Sequence, residues 1–153
     1  MNKQEFATFC HELFTSYGFQ KKRSMYVCQG QDGILCGLWL KKSNYGPSIV
    51  IMYHYYFCEF DFRKNYPTPT NYDLASYIKV MSKEKVNGKT FMTGSIVYEH
   101  YTQEELLPYL NNAFNEYILP SIRHGINYFL DHNDHLVAHH TKEKSVILDL
   151  LRT

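Results

Sequence analysis

The spacing of apolar residues changes twice along the chain, and this change constrains the fold more than any other feature. From Phe6 to Tyr17 apolar residues recur at helical spacing, which predicts an amphipathic helix over residues 1–18. Between residues 24 and 99 they alternate with other residues, as is typical of strands. Helical spacing returns over residues 102–131. This order predicts an α+β fold.

Capping motifs support the predicted helix boundaries. A capping box, in which two side chains bond free N–H groups of the first turn, is indicated at both helical starts: Asn2 with Glu5, and Thr102 with Glu105. Gly18 is expected to end the first helix in the left-handed conformation. Thr141 is predicted to cap a short tail helix over residues 141–152.

Turn dipeptides indicate how the predicted strands pair. A two-residue loop at Asp32-Gly33 places like residues opposite one another: Val27 and Leu38, Met25 and Leu40, Tyr26 and Trp39. A three-residue loop, which stays open as an alternative, instead places Cys28 opposite Cys36. Asn87-Gly88 is the strongest turn signal in the chain and predicts a second hairpin.

These elements predict one domain over residues 1–153. It is a two-layer α+β sandwich, with a five-stranded, largely antiparallel meander and with the N-terminal and C-terminal helices packed on one face. The helices are expected to cover an aliphatic sheet face: Met25, Val27, Leu38, Leu40, Ile49 and Ile51. The third strand, which is apolar on both sides, is expected at the centre of the sheet.

The opposite sheet face is rich in aromatic residues and is the predicted binding surface. Its candidate residues are Tyr26, Trp39, Met52, His54 and Tyr56. An open patch of this kind is typical of interaction sites, where tyrosine and tryptophan contribute much of the binding energy. In the alternative, the connection over residues 59–75 or the tail from Thr141 folds over this face and makes it a second core.

Two sequence segments resemble a known family. "YGFQKKRSMYV" follows the first helix, and "LWLKKSNYGPSIVIMYHYY" contains a strand, a polar turn and a long apolar third strand. Both are similar to the DUF4304 family of small, mainly bacterial domains. The resemblance covers about residues 5–130 and implies an α+β fold. The family has no assigned activity, so there are no catalytic residues to carry over, and the resemblance supports the fold far more than any function.

The segment "DHNDHLVAHH", residues 131–140, raises the question of a metal site. In a helix, His135 and His139 would lie on one face, with His132 one turn earlier, a spacing that can hold Zn²⁺. A glutamate beside the first histidine and a third ligand are both missing from the pattern. We therefore expect a polar helix end or loop, with no bound metal and no cofactor.

Charge and composition limit the other classes of function. The formal net charge of +1 creates no global field for nucleic acid, although lysines cluster at the hairpin ends. No signal-peptide pattern and no apolar run of about 20 residues occurs, so we expect a cytoplasmic protein without membrane contact. The four cysteines lack C-x-x-C spacing and are expected to be reduced thiols.

Two functions from different classes follow from these patterns. The first is a non-enzymatic binding or protein-interaction module that uses the aromatic sheet face. Its partner would be another protein, a second copy of the chain or a small ligand. The alternative is a small hydrolase or metal-dependent enzyme near the third strand, with a site made of His54, Cys58, Glu59 and Asp61.

Overall fold

A computed structural model describes residues 1–57 and 67–153 of the chain. These residues form the helices α1 (Lys3–Ser16), α2 (Gln103–Ala113), α3 (Leu119–His124), α4 (Ile126–Asp131) and α5 (Lys144–Leu151). A π-helical turn, Phe114–Ile118, joins α2 to α3. The strands are β1 (Gln20–Lys22), β2 (Met25–Gln29), β3 (Leu35–Lys42), β4 (Ser48–Tyr56), β5 (Leu74–Tyr77), β6 (Val80–Met81), β7 (Met92–Thr93), β8 (Ile96–Val97) and β9 (Val137–Ala138).

The main sheet is antiparallel throughout its described pairs. Its order is β1-β2-β3-β4-β5-β9, with β8 beside β4, while β6 and β7 form a separate ribbon. The predicted α+β class, with an antiparallel sheet and helices at both ends, is confirmed. The sheet gains strands relative to the predicted meander because β1 and β9 add short edges and β8 pairs with β4. The central position of β4 is confirmed by its pairing with both β3 and β5.

Local sequence signals account for the helix starts. At α1 the Asn2 side chain accepts a hydrogen bond from the Glu5 N–H at 2.8 Å, and the Glu5 carboxylate accepts one from the Asn2 N–H. The same reciprocal pair is present before α2. The predicted Thr141 cap is wrong, because α5 begins after Glu143 without a side-chain cap. The Thr141 hydroxyl instead lies 2.7 Å from Nδ1 of His139.

The pairing of β2 with β3 follows the three-residue alternative. Cys28 lies opposite Cys36, so the predicted two-residue register is wrong by one position. The physical reason is the loop Gln31–Gly33, in which Asp32 and Gly33 both have positive φ, at 58° and 73°. Their conformation adds a residue to the connection, and each β2 side chain then points to the face opposite the predicted one. By contrast, the Asn87-Gly88 turn is confirmed by the bridge that joins the residues flanking it.

One sheet face carries the main core, and both long helices cover it. The ring of Phe14 in α1 lies 5.1 Å from Tyr26 and 5.8 Å from Phe114, which directly follows α2. The predicted placement of the first helix and the Thr102 helix on one face is therefore confirmed. Four predicted aliphatic residues belong to this core: Leu38, Leu40, Ile49 and Ile51. Met25 and Val27 do not, because the register shift turns them to the other face.

The second sheet face has a small core of its own. Met25, Leu35 and Tyr56 are buried there, with Trp39 and Tyr72 packed against them. The Tyr56 hydroxyl donates to the Thr68 carbonyl at 2.7 Å. The described part of the long connection, residues 67–73, therefore covers part of this face, as in the alternative interpretation of the sequence. Within the described ranges, no helix has the length and apolar character needed to cross a bilayer.

Candidate ligand-binding pocket

The five residues predicted as a binding patch do not share one open surface. Tyr26 is buried on the helix face, with its hydroxyl 2.9 Å from Nδ1 of His11, because of the register shift. His54 and Tyr56 are buried on the second face, under Tyr72 and its neighbours. Trp39 and Met52 remain partly exposed. The predicted open patch is therefore wrong as a geometry, and a binding role for Trp39 and Met52 stays a prediction.

His54 is packed among aromatic rings. Its ring centre lies 4.2 Å from that of Tyr72 and 6.0 Å from that of Trp39. Neither ring nitrogen has a hydrogen-bond partner among the described residues. Burial lowers the pKa of His54 to about 4, so the imidazole is neutral near pH 7. The other members of the predicted enzyme site, residues 58, 59 and 61, lie outside the described residues, and that site stays a prediction.

The histidine-rich segment is not a helix. The helix α4 ends at Asp131, and β9 separates His135 from His139. His135 packs near Tyr53 on the helix face, whereas His139 packs against Tyr72 on the second face. The spacing that suggested a shared metal therefore does not bring these rings together. In residues 1–57 and 67–153, no group of three or more metal-binding side chains is close enough to hold an ion.

A cavity of about 580 Å³ opens beside β5. The strand β9 pairs only with Leu74 and Ala75, and the cavity begins where this pairing stops. The C-terminal half of α2 and the π-helical turn form the opposite wall. Of the described residues, fifteen line it: Met52, Tyr53, Tyr72, Ala75, Ser76, Tyr77, Ile78, Lys79, Met92, Tyr109, Asn112, Ala113, Tyr117, His135 and Val137. Its volume falls within the range of small-molecule sites, about 300–1,000 Å³.

Tyrosine rings form much of the pocket wall. Five of the lining residues are tyrosines, and they differ in exposure. Tyr53 is buried at the base, and burial raises the pKa of its hydroxyl above the ordinary value. Around the mouth, large apolar side chains are unusually exposed: Tyr77 41%, Met92 48%, Tyr117 38% and Val137 69%. Apolar side chains that the fold leaves exposed are therefore grouped around the pocket.

His135 contributes an unsatisfied polar atom to the pocket wall. Its ring centre lies 4.8 Å from that of Tyr117 and 6.3 Å from that of Tyr53. The Nε2 atom is buried and has no hydrogen-bond partner in the part of the chain that the structure describes. Burial lowers the pKa of His135, which favours the neutral ring. A buried nitrogen without a partner is unfavourable, and such groups are frequent at functional sites.

Gly94 allows Tyr77 to lie at the mouth of the pocket. A Cβ atom added at Gly94 would collide with ring atoms of Tyr77. The ring therefore packs directly on the Gly94 backbone, where a larger residue would displace it. The ring also contacts a cation, because the Lys79 ammonium nitrogen lies 5.7 Å from the ring centre of Tyr77.

Of the residues predicted as a binding surface, only Met52 lines this pocket, and His135 was predicted from the sequence only as a possible metal ligand. The helical wall did carry a signal, because Tyr109, Asn112, Ala113 and Tyr117 recur at helical spacing beside the buried stripe of α2. Nothing in the spacing connects that wall with Ser76 or His135. Their proximity depends on where β9 stops pairing with β5.

The chain was compared with protein-family models, with curated proteins and with solved structures, and none matched. Membership of the DUF4304 family therefore stays a prediction. The function of this chain must be inferred from its own residues, and the tyrosine-lined pocket beside β5 is the candidate site among the described ones.

Proposed function

We propose that the protein is a non-catalytic binding module that holds a small, flat, largely apolar molecule in the pocket beside β5. The observation that carries this proposal is the collection of exposed apolar side chains around a concave site. Tyr77, Met92, Tyr117 and Val137 remain accessible together, although single exposed apolar residues would need no explanation. Tyrosine rings suit a flat ligand because aromatic pairs gain from stacked or edge-to-face contact.

A small ligand fits the geometry better than the protein partner or second copy expected from the sequence. That expectation depended on an open second sheet face, and Tyr72 and the residues before it cover part of this face. A cytoplasmic location belongs to the same proposal. It is supported by the four cysteines, which lack C-x-x-C spacing and are expected to be reduced thiols, as in a reducing compartment.

Binding of 2-naphthol, a neutral two-ring probe, tests this function. We expect one saturable site in isothermal titration calorimetry, with a Kd on the order of 0.1–1 mM for a ligand of this size. Tyr117→Ala removes one aromatic wall and should weaken binding about tenfold. Tyr45→Ala is the matched control, because Tyr45 is 98% exposed and does not line the pocket.

A second variant changes the pocket without truncating a wall. Gly94→Ala forces the Tyr77 ring to move and should alter the affinity for 2-naphthol, while thermal unfolding reports whether the fold is intact. The proposal is wrong if 2-naphthol shows no saturable binding. It is also wrong if Tyr117→Ala and Tyr45→Ala weaken binding to the same extent.

A further inference from the structure

We infer that the pocket selects a planar aromatic carboxylate, with its ring between the tyrosines and its carboxylate at the mouth beside Lys79. This inference rests on the function proposed above and adds the charge of the ligand. Two independent properties of the pocket support it: the charge of the lining residues and the hydrogen-bonding groups that they offer.

The formal charge on the described lining of the pocket is cationic. Lys79 is the only lining residue among the described ones with a formal charge, and neither aspartate nor glutamate lines the cavity. The chain as a whole has 15 acidic and 16 basic residues, so composition alone does not explain this absence. No described carboxylate lies within ion-pair distance of Lys79. Its charge is thus available to a ligand.

A second ammonium group lies behind His135. The Lys144 Nζ donates to the carbonyl of Leu136, the neighbour of His135, at 2.8 Å, and also to the carbonyl of Asn133. Both acceptors are neutral, and no described carboxylate forms an ion pair with Lys144. After the larger effect of burial, the charge of Lys144 lowers the pKa of His135, and the charge of Asp134 opposes it with a smaller effect. The positive charge on this side of the pocket is therefore only partly offset, which favours an anion.

Most polar groups of the pocket can donate a hydrogen bond to a ligand. The side chains of Tyr77, Tyr109, Tyr117, Asn112 and Lys79 can each donate, and the neutral His135 ring adds one donor and one acceptor nitrogen. An ionised carboxylate is acceptor-only and can use several donors at once. A neutral aromatic molecule would leave more of these donors to water.

The same groups argue against a cationic ligand. Tyrosine faces can attract a cation, and a tyrosine-walled pocket could in principle act as an aromatic cage. The Lys79 ammonium, however, already lies 5.7 Å from the ring centre of Tyr77 at the mouth. A second cation would be repelled there and would find no carboxylate among the lining residues.

Three probes with one ring system isolate the charge: 2-naphthoate, 2-naphthamide and 2-naphthylmethylammonium. By calorimetry near neutral pH and low salt, 2-naphthoate should bind about fivefold more tightly than 2-naphthamide, because Lys79 is exposed and the ion pair is screened. The ammonium probe should bind most weakly. Lys79→Gln should abolish the preference for naphthoate over naphthamide. Lys89→Gln, the same change at an exposed turn lysine outside the pocket, should preserve it.

Each outcome has a defined meaning. Three results would overturn the carboxylate inference and leave the proposed function standing. They are equal binding of naphthoate and naphthamide, tightest binding of the ammonium probe, and a preference for naphthoate that survives Lys79→Gln. Absence of binding by all three probes would overturn the carboxylate inference, and the proposed function would fall with it only if 2-naphthol also does not bind. Circular dichroism of each lysine variant verifies that a change in affinity is not caused by loss of fold.

Discussion

His54→Phe should make the protein more stable and less sensitive to acid. His54 is fully buried, and both of its ring nitrogens lack partners among the described residues. Leaving a buried polar group unsatisfied costs about 1–3 kcal/mol, and an apolar ring of similar shape removes that penalty. The free energy of unfolding should therefore rise by about 1–2 kcal/mol near neutral pH, after some loss from imperfect repacking.

The acid dependence has a definite sign. Burial lowers the pKa of His54 in the folded state from its ordinary value of 6.5 to about 4. As the pH falls below 6.5, the unfolded chain takes up the proton first, so the stability is full above pH 6.5 and falls as the pH approaches 4. At about 1.4 kcal/mol per pKa unit, this one residue accounts for a loss of about 3 kcal/mol.

Urea unfolding near pH 7.5 and near pH 4.5, followed by Trp39 fluorescence, measures both effects. His54→Phe should lose less stability than the wild type between the two conditions. His54→Leu should show the same reduced acid dependence. Its free energy of unfolding at neutral pH should rise less than that of His54→Phe, because leucine has no ring to contact Tyr72. An acid dependence equal to that of the wild type in both variants would contradict the assignment.

Phe114→Ala should destabilise the fold strongly. Phe114 is fully buried, and three aromatic rings surround it: Tyr17 at 4.2 Å, Phe14 at 5.8 Å and Phe19 at 5.9 Å between ring centres. These contacts join α1 and the β1 side of the sheet to the π-helical turn. Truncating a buried phenylalanine costs about 3–5 kcal/mol, because apolar contact is lost and a cavity remains.

Equilibrium urea unfolding of Phe114→Ala, compared with Tyr45→Ala, measures this effect. Tyr45 is almost fully exposed, so its truncation should change the free energy of unfolding by no more than about 0.5 kcal/mol. A loss below about 1 kcal/mol for Phe114→Ala would mean that the aromatic cluster relaxes into the space, contrary to the close packing of a protein core.

Features that depend on neighbouring residues were predictable from the sequence. Both capping boxes are local pairs three residues apart, and the turn at Asn87-Gly88 needs only the left-handed preference of its two residues. The pairing of β2 with β3 was not predictable in the same way. It depends on whether Asp32 and Gly33 fill a two-residue or a three-residue loop, and both loops accept Asp-Gly.

The candidate site depended on contacts between distant parts of the chain. His54 was placed correctly on β4, but the ring that covers it comes from Tyr72, beyond the long connection. Likewise, His135 approaches Tyr117 only because β9 returns to the edge of β5. Periodicity describes which side of an element is apolar, and it does not say which distant segment will cover that side.

The π-helical turn also has an evolutionary consequence. Such a turn holds one more residue than the α-helical turn it replaces, and each residue of an α-helix advances the helix by about 100°. Losing one residue from Phe114–Ile118 would rotate α3 by that amount relative to α2. Ser121 of α3, whose buried hydroxyl donates to that of Tyr55 at 2.7 Å, would then turn away from β4 and lose this hydrogen bond. Relatives in which this helix is one residue shorter should therefore differ at both the Tyr55 and the Ser121 positions. Relatives that keep this pair of residues should keep the length of the helix as well.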